Sequence, residues 1–113
     1  MRKLITLVLS ILLLPMVAFA ADQTWKNAPI VDVACATVAK HNPDAHTREC
    51  ALNCQKDGFG IFTPASKFLK LDDQGNKLAI KALENTQQKD HIRVTVTGTQ
   101  EGNTIRVTSL TLP

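Results

Sequence analysis

Three residues whose side chains bind metals or take part in thiol chemistry lie four positions apart in one segment: His46, Cys50 and Cys54. The segment is predicted to be a helix from Pro43, a residue typical of the first helical position, to about Lys56. Because four residues advance a helix by about 40° beyond one full turn, the three side chains would share one face. We therefore expect one helix face to carry an imidazole and two thiols.

Cys35 is expected to join this group from a neighbouring strand. It ends the β-branched run Ile30–Cys35, which predicts a first strand with the Cys35 side chain facing the core. Thiolate and imidazole suit Cu(I) or Zn²⁺, so one interpretation is a soft-metal site. Its four candidate ligands are Cys35, His46, Cys50 and Cys54. The spacing departs from familiar zinc motifs, and the outer helix ligands would lie about 12 Å apart, which makes it hard for one ion to hold them all.

A structural disulfide is the interpretation that the spacing and the compartment favour. It would join Cys35 to either Cys50 or Cys54 and stabilise the domain by about 3 kcal/mol through loop closure. Three cysteines leave one over. That thiol could be buried, bind a metal with His46, link two chains in a dimer, or exchange with the disulfide as a redox switch.

The first 20 residues have the pattern of a cleaved export signal. The basic pair Arg2-Lys3 precedes the apolar run Leu4–Val17, and Ala18–Ala20 supplies small residues for cleavage. We therefore expect a single mature domain, residues 21–113, without a membrane anchor. Its predicted location is the bacterial periplasm or the cell exterior, where disulfides persist.

The charge balance and the size of the mature chain exclude several classes of function. The full sequence has 13 basic and 10 acidic side chains, and the signal removes two of the basic ones. The remaining near-neutral surface argues against nucleic acid as a partner, because phosphate binding needs clustered Lys and Arg. A domain of this size is also too small for large enzyme folds.

Alternating apolar and polar residues near the C-terminus predict a β-hairpin. The alternation runs through Ile92–Thr97 and Ile105–Thr108, separated by the turn segment Gly98–Asn103. After Thr108 the apolar phase shifts by one residue, so that Leu110 becomes the next large apolar position. A shift of this kind is typical of a β-bulge.

The remaining elements complete a small mainly β domain. Strands are predicted at Ile61–Thr63 and Lys67–Leu71, a turn at Asp72–Asn76, and an amphipathic helix at Lys77–Gln88. Five strands with this helix between the third and fourth, and a helical insertion between the first two, favour an OB-fold-like barrel. An open α+β sheet built from the same elements is the alternative.

The chain also resembles a family of small exported bacterial proteins with an OB-like barrel. The matching features are Val31-Asp32 followed by Cys35, His46 with Cys50 and Cys54, Gly58 and Gly60 before a strand, Lys67–Asp72 with Gly75-Asn76, and Val94–Gly98. The resemblance implies the barrel and the envelope location, and it implies no activity.

Three aromatic residues lie on or beside the strands that bind oligonucleotides or sugars in many OB-folds: Phe59, Phe62 and Phe68. Their spacing is that of ordinary core residues, which is the favoured interpretation. The sequence as a whole predicts an exported, non-enzymatic binding or structural module of the bacterial envelope, stabilised by a disulfide. Its expected partner is an envelope protein or a small ligand. The alternative is a Cu- or Zn-binding or thiol-redox protein that uses the four candidate ligands.

Overall fold

Five strands close into a barrel in a computed structural model that describes residues 22–113. The strands are β1 Gln23–Asp32, β2 Phe59–Phe62, β3 Phe68–Leu71, β4 Arg93–Glu101 and β5 Thr104–Thr111. They close in the order β1-β2-β3-β5-β4, and β3 pairs with β5 in parallel while the other neighbours are antiparallel. The predicted mainly β, OB-fold-like barrel is thus confirmed, and the open-sheet alternative is wrong. The predicted export signal lies outside the described residues.

The C-terminal hairpin contains the predicted bulge. Thr97 pairs with Ser109, but the next residue, Gly98, pairs with Val107, so Thr108 is the extra residue on β5. The bulge explains why the apolar phase shifts after Thr108. The hairpin is longer than predicted, because β4 continues to Glu101 through most of the segment expected to be a turn and β5 begins directly after that segment, at Thr104.

The first strand differs from its prediction at both ends. It begins at Gln23, in a segment whose exposed polar residues show no alternation of apolar and polar positions. It ends at Asp32 instead of Cys35. Val33–Cys35 is a 3₁₀ turn, because the Asp32 carboxylate accepts the Cys35 N–H and caps the turn. Cys35 therefore leaves the sheet.

The single helix predicted from Pro43 to Lys56 is wrong. Short helical pieces fill the insertion between β1 and β2: α1 Ala36–Ala39, a 3₁₀ turn Pro43–Ala45, α2 Arg48–Asn53 and a 3₁₀ turn Gln55–Asp57. His46 and Thr47 are extended, and the Thr47 side chain accepts the Cys50 N–H to start α2. This break removes the common face on which the metal prediction depended.

The helix α3, Asp73–Asn85, starts earlier than predicted and includes most of the segment expected to be a turn. The Asp72 carboxylate caps it by accepting the Gly75 N–H at 2.9 Å, and it also accepts the Val107 N–H of β5 at 3.2 Å. Ala79 and Leu83 of α3 are fully buried in the main core. The helix thus closes one side of the barrel core.

A second, smaller core lies under α1. It consists of Val31, Ala39 and Phe62, with Ala36 and Phe68 packed against it. No helix within residues 22–113 is long and apolar enough to cross a membrane.

Candidate metal centre

Asp32 is the only buried charged or polar residue in the described part of the chain, and its side chain is 0% exposed. One carboxylate oxygen, Oδ2, accepts the Cys35 N–H at 3.0 Å. The other, Oδ1, lies 2.5 Å from Nε2 of His46, whose side chain is 11% exposed. A buried carboxylate needs such partners, since water no longer solvates it.

The 3₁₀ turn brings Cys35 to the same carboxylate. The pKa of the Cys35 thiol is raised to about 11, first by burial, then by its hydrogen bond to Asp32 and the charge of that carboxylate. The neighbouring Cys54 raises the pKa further. The thiol therefore stays protonated at neutral pH unless a cation compensates the charge of the thiolate.

Two anchors on either side of His46 hold it in place. The Asp44 carboxylate accepts two hydrogen bonds from the Arg93 guanidinium, at 3.0 and 2.8 Å, and its backbone oxygen accepts the His91 N–H. On the other side, Arg48 donates from its backbone to Lys89 and from its side chain to the end of α3. The imidazole is thus positioned by contacts to β4 and α3.

Asp32, Cys35 and His46 each offer one donor atom, and these three atoms lie within 4.8 Å of one another. A tetrahedral zinc ion with bonds of about 2.0–2.3 Å holds its ligand atoms roughly 3.3–3.8 Å apart. Closing around an ion would therefore require the widest separation to contract by about 1 Å and the 2.5 Å contact between Asp32 Oδ1 and His46 Nε2 to open by a similar amount. Carboxylate, thiolate and imidazole are all zinc ligands, so the group has suitable chemistry and nearly suitable geometry.

The structure divides the four ligands predicted from the sequence. Cys35 and His46 come together, and Cys54 neighbours Cys35 without belonging to the 4.8 Å group. Cys50 is exposed on α2 and lies outside the group, because the break before α2 turns it away. All three cysteines, which lie within the described residues, are free thiols, so the disulfide stays a prediction.

Asp32 was not among the ligands predicted from the sequence, because alternation along the predicted strand Ile30–Cys35 puts it on the face opposite Cys35. A usable signal was present: an Asp three residues before Cys35 can cap a turn and place its carboxylate beside that cysteine. That pattern would have linked Asp32 to the cluster.

The three aromatic candidates for a binding face are packing residues. Phe59 is fully buried in the main core, and Phe62 is 5% exposed. Phe68 packs on Phe62 with ring centroids 5.1 Å apart, beneath the alanines of α1. The insertion between β1 and β2 thus covers this part of the outer barrel surface.

Comparisons with protein-family models, curated proteins and solved structures gave no match. The molecule is a small OB-like barrel with an Asp-Cys-His side-chain group at the end of its first strand.

Proposed function

We propose that the mature chain is an exported, non-enzymatic binding module of the bacterial envelope whose ligand is a zinc ion. The observation that carries this proposal is the convergence of Cys35 and His46 on the fully buried carboxylate of Asp32, which brings three different donor groups together. Export is supported by the signal pattern at the start of the sequence.

Zinc fits this donor set better than copper does. Cu(I) favours thiolate and thioether ligands, whereas zinc accepts sulfur, nitrogen and carboxylate oxygen together. Cys54, which neighbours Cys35, would supply a fourth ligand after a side-chain movement. Binding would replace the proton of the Cys35 thiol, so the affinity would rise with pH.

A second candidate is a structural module held by a disulfide between Cys35 and Cys54. The observation that favours it is the proximity of these two thiols in a chain predicted to be exported to an oxidising compartment. Thiol-redox catalysis is less favoured, because a reactive cysteine needs a depressed pKa and the pKa of Cys35 is raised.

Zinc titration of the reduced, processed protein tests the proposal. We expect one bound ion, measured by competition with a coloured chelator, and a thiolate charge-transfer band when Co²⁺ replaces zinc. Cys35→Ser and His46→Gln should each weaken binding by at least about 100-fold, since even outer contacts to metal ligands contribute about 10- to 100-fold. Cys50→Ser is the matched control and should bind zinc as the parent protein does.

The state of the thiols separates the two candidates. Protein isolated without reductant and alkylated under denaturing conditions should show three reactive thiols if it carries zinc. One reactive thiol, no bound metal and a Cys35–Cys54 link would instead support the disulfide module. Failure of the reduced protein to bind zinc would refute the metal proposal.

A further inference from the structure

A cleft of about 550 Å³ lies between the first half of β1, the connection after α1 and the turn between β2 and β3. None of Asp32, Cys35 and His46 lines it, so it is separate from the candidate metal centre. Its volume falls within the range of small-molecule binding sites.

All the charged side chains that line the cleft are positive. Lys26, Lys40 and Arg93 contribute positive charge, and none of the described residues that line the cleft carries a carboxylate. Arg93 is already paired with Asp44, while Lys26 and Lys40 are exposed. In a domain whose overall charge is near neutral, this arrangement favours an anion.

One aromatic side chain, Trp25, offers accessible apolar surface beside these charges, while Phe62 also lines the cleft but is buried. Trp25 is half-buried on β1, and Phe62 lies at the end of β2. Pro29, Pro43 and Pro64 add further apolar, conformationally restricted surface. A ligand with a flat apolar part could therefore pack against the cleft while its charged group reaches the lysines.

The backbone of the cleft walls is strained at two positions. Three non-glycine residues in the described chain have positive φ, and two of them line the cleft: Asn27 at 50° and Ser66 at 60°. Asn27 lies in a β1 bulge, where two residues oppose one residue of β4. Residues in this conformation cost of order 1–3 kcal/mol and cluster at ligand sites.

An ion pair holds the strained wall. Arg93 donates to the Asn27 carbonyl at 3.0 Å, and the same guanidinium is held by Asp44. The Asn27 N–H also donates to Thr95 Oγ1 at 3.4 Å. The bulge is therefore fixed before any ligand arrives, which reduces the entropy lost on binding.

We propose that this cleft is a binding site for a small organic anion, a carboxylate attached to a flat apolar group. The carboxylate pairs with Lys26 and Lys40, and the apolar group packs against Trp25. The proposal does not rest on the zinc proposal, because no side chain of the metal group lines the cleft.

A series of probes that differ only in charge tests this assignment. Naphthoate, naphthylmethanol and naphthylmethylammonium are titrated into isotope-labelled protein, and amide shifts are followed by NMR. We expect naphthoate to shift the backbone amides of residues 24–28 and 40–42 and of the non-proline residues in 62–66, with a dissociation constant of about 1 mM or lower. The neutral probe should bind about fivefold more weakly, and the cationic probe more weakly still.

Paired lysine variants complete the experiment. Lys26→Gln with Lys40→Gln should weaken naphthoate binding about fivefold, while the control pair Lys70→Gln with Lys77→Gln, two exposed lysines outside the cleft, should leave it unchanged. The spectra of the unliganded variants show directly whether they remain folded. Equal binding of all three probes, shifts confined to other residues, or no shift with naphthoate would each overturn the proposal.

Discussion

The Asp32 carboxylate and the His46 imidazole meet at 2.5 Å across 14 positions of sequence. The contact joins the end of β1 to the extended residues before α2. Because the second carboxylate oxygen accepts the Cys35 N–H, one buried side chain positions both other members of the candidate metal centre. Asp32 therefore supports the local structure as well as the proposed metal binding.

Replacing this carboxylate should destabilise the metal-free protein. Asp32→Asn keeps an oxygen that can cap the Cys35 turn but removes the charged acceptor for His46. Hydrogen bonds to charged groups contribute about 1.5–3 kcal/mol, so we expect a loss of that size in urea unfolding. Asp57→Asn, at an exposed position, is the control and should change stability by less than about 0.5 kcal/mol. Equal stability of the two variants would contradict this role for Asp32.

Zinc should order the segment between two of its proposed ligands. Cys35 precedes α1 and His46 follows the Pro43–Ala45 turn. An ion bound to both residues would therefore restrict the backbone motion of the segment between them. Amide hydrogen exchange from 36 to 45 should slow on adding zinc, with a smaller effect in the β4–β5 hairpin. The His46→Gln variant should show no such change. Uniform protection across the barrel would instead indicate global stabilisation alone.

The Cys35 thiol should make the metal-free, reduced protein sensitive to alkaline pH. Its pKa is raised from 9.0 to about 11 by burial, the Asp32 hydrogen bond and charge, and Cys54. The unfolded chain therefore releases this proton first, so the stabilisation is complete below pH 9.0 and is lost as the pH rises through about 11. Stability measured against pH should fall across this interval, and Cys35→Ser should flatten the fall. Alkylation resolved by mass spectrometry should also modify exposed Cys50 before Cys35 at mildly alkaline pH.

The Asp44–Arg93 pair should contribute acid-sensitive stability. The hydrogen bond from Arg93 lowers the pKa of Asp44 below 3.8, so its contribution is present above that pH and is lost as the pH falls through the lower folded value. Both side chains are partly exposed, so Asp44→Asn should cost only about 0.5–1 kcal/mol at neutral pH. The free energy of unfolding of the Asp44→Asn variant should also decrease less than that of the parent protein between pH 5 and pH 3. Glu101→Gln removes a more exposed ion pair and should leave the neutral-pH stability nearly unchanged.

Gly98 should not tolerate a side chain at the hairpin bulge. A Cβ atom there would lie 2.2 Å from the backbone oxygen of Arg106, which cannot move without disturbing the β4–β5 pairing. Gly98→Ala should cost about 1–3 kcal/mol or more in thermal or urea unfolding. At Gly102 a Cβ would meet nothing within 4 Å, but φ is +61°, so Gly102→Ala should cost about 1–2 kcal/mol and Gly102→Asn less. Full tolerance of Gly98→Ala would show that the two strands can separate locally.

The hairpin was the most predictable part of the fold, because its signal is local. Alternation through Ile92–Thr97 and the phase shift after Thr108 report directly which side chains face the core and where a residue is extra. The start of β1 was not predictable in this way. Its residues Gln23–Trp25 pair with β4, about 70 positions away, while their side chains remain largely exposed.

The candidate centre was only partly predictable, for a related reason. Regular helical spacing placed His46, Cys50 and Cys54 on one face. In the structure the helix is interrupted at His46 and Thr47, because His46 contacts Asp32 and the Thr47 side chain caps the start of α2. A local preference for helix is weak, and a buried carboxylate that needs a partner outweighs it.

By itself, the sequence determined the class of fold, the hairpin with its bulge, and the presence of Cys35 and His46 among the candidate ligands. Only the tertiary structure decided that Asp32 is buried between them, that Cys50 faces solvent, and that Trp25 and Lys40 line one cleft. The physical reason is the range of the interactions. Side-chain periodicity is a property of neighbouring residues, whereas the pairing of a buried charge and the lining of a cleft depend on segments that meet only when the barrel closes.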